Sequence, residues 1–135
     1  MSPSSDVSGG APAGIRAVGT DFVSVARVRE ALARQPRLKA VCFTSAEIEY
    51  CELSADPAER FAARWAAKEA VLKCLGGMQA RSDFAEIEVW KATDGAPGLR
   101  CSGQVLGRAM AAEIACWHLS LSHDGGFAVA FVIAS

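Results

Sequence analysis

One run, Phe61–Gly76, FAARWAAKEAVLKCLG, constrains the fold of this chain more than any other. Alanine, aromatic or aliphatic side chains cover nearly every side of it, and a helix that is apolar all round belongs in an interior. Yet it carries Arg64, Lys68, Glu69 and Lys73. Charged side chains are almost never fully buried unless they are paired or bind something charged. A Glu69–Lys73 pair at i,i+4, in the favourable order, is worth only about 0.2–0.5 kcal/mol on a helix surface. It also leaves Arg64 and Lys68 without a reason. One carboxylate among these cations, in an otherwise apolar helix, suits a metal ion bridging to phosphates.

The segments around this helix set the fold class. Ile15-Arg16-Ala17-Val18 is short and bounded by glycine, which predicts a strand, with Gly19-Thr20-Asp21 as the turn out of it. Ser24 is placed to cap a helix in which Val25, Val28 and Leu32 recur at helical spacing until Pro36 stops it. Thr44-Ser45-Ala46-Glu47 reads as a capping box opening a short helix to about Leu53. Asp56-Pro57-Ala58-Glu59 reads as a second box opening the long one, which Gly76-Gly77 closes. Ala62, Ala63, Ala66, Ala67 and Ala70 would let a sheet approach closely, while Phe61, Trp65, Leu72 and Leu75 supply larger contacts.

Beyond a loop around Met78–Asp83, residues 85–90 alternate with period two, the pattern of a half-buried strand. Asp94–Gly98 is a turn cluster, and Leu99–Ser102 can return as the hairpin partner. A helix is predicted from Gln104 to Ala115, marked by Leu106, Met110 and Ile114. Trp117–Ser122 and Phe127–Ile133 are two further strands around the turn His123-Asp124-Gly125-Gly126. This order gives an α+β fold, a mainly antiparallel sheet packed around a long buried helix. Residues 1–13 are rich in Ser, Pro, Gly and Ala and read as a disordered extension, leaving one domain over residues 14–135.

Composition excludes several function classes. A net charge of −1 argues against bulk nucleic-acid binding. No apolar run approaches the roughly 18–20 residues that cross a bilayer, and the amino terminus lacks the features of a secretion signal. A cytoplasmic protein is expected. Cys42, Cys51, Cys74, Cys101 and Cys116 show no metal-binding spacing and read as small apolar residues. Arg27, Arg29, Arg34, Arg37 and Lys39 crowd the first helix and its exit, and Arg27 and Arg34 lie within about 20° of each other on a helical wheel. That patch is either a solvated face or a surface for an acidic partner.

Three segments stand out together: Gly19-Thr20-Asp21, the RWAAKEA run Arg64–Ala70, and Ser120-Leu121-Ser122-His123. In this order and spacing they resemble the small holo-acyl-carrier-protein synthases of the 4′-phosphopantetheinyl transferase superfamily. The resemblance runs from Gly14 to the carboxyl terminus. It takes in Phe43-Thr44, Glu47, Tyr50-Cys51 and the Gly95-Ala96-Pro97 turn. It implies transfer of the phosphopantetheine arm of coenzyme A to a serine of apo-acyl carrier protein, releasing adenosine 3′,5′-bisphosphate. It implies that Asp21 and Glu69 hold magnesium against the coenzyme A pyrophosphate, with Lys73 beside them as a catalytic cation. Magnesium independently suits one or two carboxylates, waters and substrate phosphates.

The same resemblance makes Arg64, Lys68 and Lys73 phosphate-facing cations of the coenzyme site. It puts Ser122 and His123 near its 3′-phosphate, and Gly95 and Pro97 by its adenine. Arg27, Arg34 and Arg37 fall where the family docks its strongly acidic carrier protein, and a homotrimer with sites between subunits is implied. The attacking serine's proton can go to Glu69, to a metal-bound water or to bulk solvent. His118 reads as an ordinary strand residue. Two other readings stand beside the transferase: a non-catalytic module binding carrier protein or coenzyme A, and a magnesium-dependent coenzyme A hydrolase.

Overall fold

A computed structural model describes residues 14–135; the extension at 1–13 lies outside the described residues. The order is β1 (Ala17–Ser24), α1 (Val25–Arg34), α2 (Leu38–Cys42), α3 (Ser45–Glu52), α4 (Pro57–Cys74), β2 (Ile87–Lys91), β3 (Pro97–Cys101), α5 (Gly103–Ala111), β4 (Trp117–Asp124) and β5 (Phe127–Ala134). The strands form two antiparallel sheets, β1-β5-β4 and the hairpin β2-β3. Helix α4 lies buried against the larger sheet. The α+β class and the antiparallel pairing follow the sequence pattern. Among the described residues no helix is long and apolar enough to cross a membrane.

Small side chains set how closely α4 and the sheet approach. Ala62, Ala66, Ala67 and Ala70 of the helix and Ala128, Ala130 and Ala134 of β5 are all fully buried. At Gly19 a Cβ would collide with the Ala70 carbonyl oxygen, so only glycine lets β1 cross there. Larger contacts come from Phe61 and Leu72, and from Trp65, whose ring meets Phe84 edge-on at 4.9 Å. The opposite face of the sheet is apolar and open, with Val18, Phe22, Phe127, Val129 and Phe131 exposed.

Several boundaries differ from the sequence reading, each for a physical reason. Gly19-Thr20-Asp21 is strand rather than turn, because β1 pairs with β5 along its whole length, Ala17 opposite Ala134 through Ser24 opposite Phe127. His123 and Asp124 likewise belong to β4, opposite Ala128 and Phe127, and the turn shrinks to Gly125-Gly126, both at positive φ. The Thr44–Glu47 capping box forms as read. The Asp56 box does not: Arg29 takes the Asp56 carboxylate through contacts of 2.8 and 3.0 Å, and Pro57 alone starts α4. Gly76 and Gly77 end that helix, with the Gly77 N–H donating to Leu72 O at 2.7 Å.

The loop before β2 is partly a 3-10 turn, Arg81–Glu86. Helix α5 is shorter than expected and turned differently. Val105 and Ala109 face inward, whereas Leu106 and Met110 are exposed.

Candidate active site

The candidate site residues lie on two faces of α4. On one, Glu69 and Lys73 meet Asp21 from the middle of β1. Lys73 Nζ donates to Thr20 O at 2.9 Å and to Asp21 Oδ1 at 3.1 Å. Burial first, then the nearby Asp21 charge, pushes the Glu69 carboxyl above its ordinary value, and Arg81 and Lys73 offset this only in part. Like carboxylates brought this close favour a cation between them. Among the described residues no group of three His, Cys, Asp or Glu side chains could hold a metal by itself. A pair of carboxylates beside open solvent fits magnesium, which keeps waters and takes phosphate oxygens.

The other face borders a cleft of about 480 Å³. Arg64, Gly95, Pro97, Ser122 and His123 all line it, brought together from α4, the β2-β3 turn and the end of β4. Asp21, Glu69 and Lys73 lie outside its walls. Arg64 and Glu69 are five residues apart, about 7.5 Å along the helix axis and roughly 140° around it, so the cleft and the carboxylates lie on different faces of α4. Arg64 is only 5% exposed, and among the described residues its Nε has no hydrogen-bond partner. Its guanidinium lies 4.4 Å from the Tyr50 ring centroid. His123 Nδ1 lies 3.7 Å from Glu59 Oε2 across the same cleft.

Lys68 does not face the cleft. Its ammonium is fully buried, donating to Glu47 Oε1 at 2.8 Å, to Phe84 O at 2.7 Å and to Ile87 O. Burial lowers its pKa, and Glu47 opposes the shift. A cation with its donors turned inward on the protein has none left for a phosphate.

Sequence reasoning missed Tyr50, Arg60 and Lys91, which also line the cleft. Arg60 stands four residues before Arg64, so helical spacing could have found it. It lies 4.1 Å from the Tyr50 ring and donates to Tyr50 O at 2.8 Å. Tyr50 entered only as part of the stretch that carries the resemblance, with no role given to it, and Lys91 carried no signal, since both reach the cleft through tertiary packing. Elsewhere, Arg27 and Arg34 line a groove of α1 with Val23 and Trp65, while Arg37 borders a separate hollow beside Val41. Arg34 is held 3.6 Å from Glu30.

The family model described as the 4′-phosphopantetheinyl transferase superfamily matches residues 17–132. This chain belongs to that superfamily. Among similar transferases, a holo-acyl-carrier-protein synthase of Frankia alni is 45% identical over 117 residues, which are 87% of this chain and 94% of that protein. The crystal structure of the Neisseria meningitidis holo-acyl-carrier-protein synthase matches with a TM-score of 0.81 at 26% identity, over 90% of this chain and 99% of that one. The Helicobacter pylori synthase, solved in complex with coenzyme A, matches with a TM-score of 0.74 at 29% identity, over 87% and 99%. The phosphopantetheinyl transferase fold is therefore that of this chain.

Proposed function

We propose that this chain is a magnesium-dependent holo-acyl-carrier-protein synthase, working as one domain over residues 14–135. The observation that carries the proposal is Arg64: a guanidinium nine-tenths buried on a cleft wall, with an Nε that has no partner among the described residues. Buried charge of this kind calls for an anion, and coenzyme A supplies phosphates. The Frankia relative bears the synthase name, and the Helicobacter pylori structure holds coenzyme A.

In the reaction, the serine oxygen of the apo-carrier protein bonds to the phosphorus bearing the pantetheine arm. The bond from that phosphorus to the nucleotide phosphate breaks, adenosine 3′,5′-bisphosphate leaves, and the serine proton is released. Arg64 orients the coenzyme by its phosphates, with Ser122 and His123 at the 3′-phosphate and Gly95 and Pro97 beside the adenine. Asp21 and Glu69 would hold magnesium, which neutralises charge on the pyrophosphate oxygens. Lys73, beside Asp21, adds a positive charge at the leaving side. Arg27, Arg34 and Arg37 receive the acidic carrier protein on α1 and its exit.

The open apolar face of Val18, Phe22, Phe127, Val129 and Phe131 supports a homotrimer built on that sheet. Free thiols at Cys42, Cys51, Cys74, Cys101 and Cys116 suit the reducing cytoplasm as the place of work. Incubation with apo-carrier protein, coenzyme A and magnesium should add the mass of one phosphopantetheinyl group to the carrier protein. An unchanged carrier mass with active controls overturns the proposal. Light scattering should give three chains per particle, and a fully active monomer would remove the trimer alone.

A further inference from the structure

Outside the catalytic cluster, the most completely bonded charged group is the Lys68–Glu47 pair, with both side chains at 0% exposure. Five bonds meet there. Lys68 donates to Glu47 and to the carbonyls of Phe84 and Ile87. Glu47 Oε1 accepts the Thr44 N–H at 2.9 Å, and its Oε2 accepts the Val89 N–H at 2.8 Å. The pair therefore fastens α3, the turn before β2 and β2 itself to α4.

Each fastened element leads directly to a cleft wall. Tyr50 follows Glu47 by three residues on α3 and lies against both Arg60 and Arg64. Lys91 follows Val89 on β2 and lines the cleft, as do Gly95 and Pro97 of the turn beyond it. Arg64 stands one helical turn before Lys68, so the same strip of α4 carries the buried tie and the cleft cation. Packing alone would not need a charge here, because a well-packed apolar pair is usually as stabilising as a buried ion pair or more so. What the pair provides is direction, since each donor has one acceptor at a fixed place.

We infer that Lys68 and Glu47 are positioning residues for coenzyme A, holding Tyr50 and the β2-β3 turn against Arg64 without touching the ligand. This rests on the coenzyme reading of the cleft. Lys68 thus serves the coenzyme site by a route opposite to phosphate contact.

The test compares Glu47→Gln, Lys68→Met and the double variant with wild type. Coenzyme A titrations are run by calorimetry well below each variant's unfolding midpoint, alongside steady-state kinetics. Glu47→Gln keeps the volume but turns an amide group toward the Val89 N–H or loses the Lys68 contact, and should weaken coenzyme A binding about fivefold. Lys68→Met should weaken it at least about tenfold, and the double variant should be no worse than the poorer single, because one tie is lost once. The Michaelis constant for coenzyme A should rise in parallel while kcat at saturation changes less than about threefold.

Folded Glu47→Gln with wild-type coenzyme A affinity overturns the inference, even if Lys68→Met does not fold. Weaker binding in Lys68→Met with tighter binding in Glu47→Gln also overturns it, since a phosphate-binding lysine would be freed by loss of Glu47. Wild-type protein that binds no coenzyme A overturns the reading of the cleft itself. Wild type that binds, with variants that bind equally, removes only the positioning pair.

Discussion

Lys68 and Lys73 stand five residues apart on one helix, and each has a carboxylate at ion-pair distance, 2.8 Å to Glu47 and 3.1 Å to Asp21. The side chains of the first pair are 0% exposed; those of the second are 53% and 18% exposed. Around Lys68, carbonyls and amides complete the set, and nothing remains for a ligand. Around Lys73, the Asp21 carboxylate has its other oxygen to offer, and Glu69 stands near enough to be pushed upward by its charge. The same two side-chain chemistries make a closed joint in one place and an open site in the other. Satisfaction of donors and acceptors separates them, where charge alone does not.

The largest effects should come from the open site. Asp21→Ala and Glu69→Ala should each reduce transfer at least about a thousandfold, roughly the 4 kcal/mol that a bound metal ion supplies to a phosphoryl-type transition state. The metal-free thermal midpoint should hold or rise in both, because one of two repelling carboxylates is gone. Activity surviving either change, or exhaustive chelation, would take the metal out of the comparison. An assay by intact mass of the carrier protein reads the first effect, and calorimetric unfolding reads the second.

The lysines should then separate cleanly. Lys68→Met leaves Glu47 charged and buried, and should cost about 3–5 kcal/mol in urea unfolding. Lys73→Met should cost less than about 1 kcal/mol, as for other half-exposed pairs, yet lose most of the activity. Equal stability losses for the two variants would erase the distinction between joint and site.

Steering charges should act more gently. Arg27→Glu with Arg34→Glu should raise the Michaelis constant for carrier protein, leave that for coenzyme A nearly unchanged, and flatten the fall of activity with sodium chloride. Exposed charges act over about 8 Å at physiological salt. Equal salt curves for variant and wild type would return α1 to ordinary surface.

The smallest effect belongs to Glu88 and Arg100, a half-exposed pair at 2.8 Å. The Arg100 hydrogen bond, then that of Thr44, holds the Glu88 carboxyl below its ordinary 4.5. Its stabilisation is therefore present above that value and lost as pH falls through the lowered one. Arg100→Met should cost less than about 1 kcal/mol at neutral pH, with the difference shrinking in acid. Midpoints measured across pH 2–7 (roughly the carboxylate range) check this, and a difference that grows in acid would reverse the assignment.

Much of this was legible in the sequence because the signals were local. Ser24 and Thr44 cap as their positions suggest, accepting from the Arg27 and Glu47 N–H groups. The apolar α4 is buried, and Arg64, Gly95, Pro97, Ser122 and His123 do share a cleft. The errors arose where a distant partner decided the outcome. Asp56 looks like a cap until Arg29 arrives from 27 residues away. Gly19 looks like a turn until β5 extends β1 past it. Lys68 looks like a phosphate ligand until Glu47, 21 residues earlier, closes over it. Sequence spacing places residues on a helix face, and only tertiary contact says which face meets water.

The layer of alanines between α4 and β5, with Gly19 beside it, also fixes how far Asp21 stands from Glu69. One carboxylate rides on the sheet and the other on the helix, so the thickness of a methyl group is the gauge of the proposed metal site. Side-chain volume in this layer cannot drift as it does in an ordinary core. A library that repacked it with larger residues and was selected only for heat resistance would be expected to yield stable proteins whose carboxylates no longer span an ion.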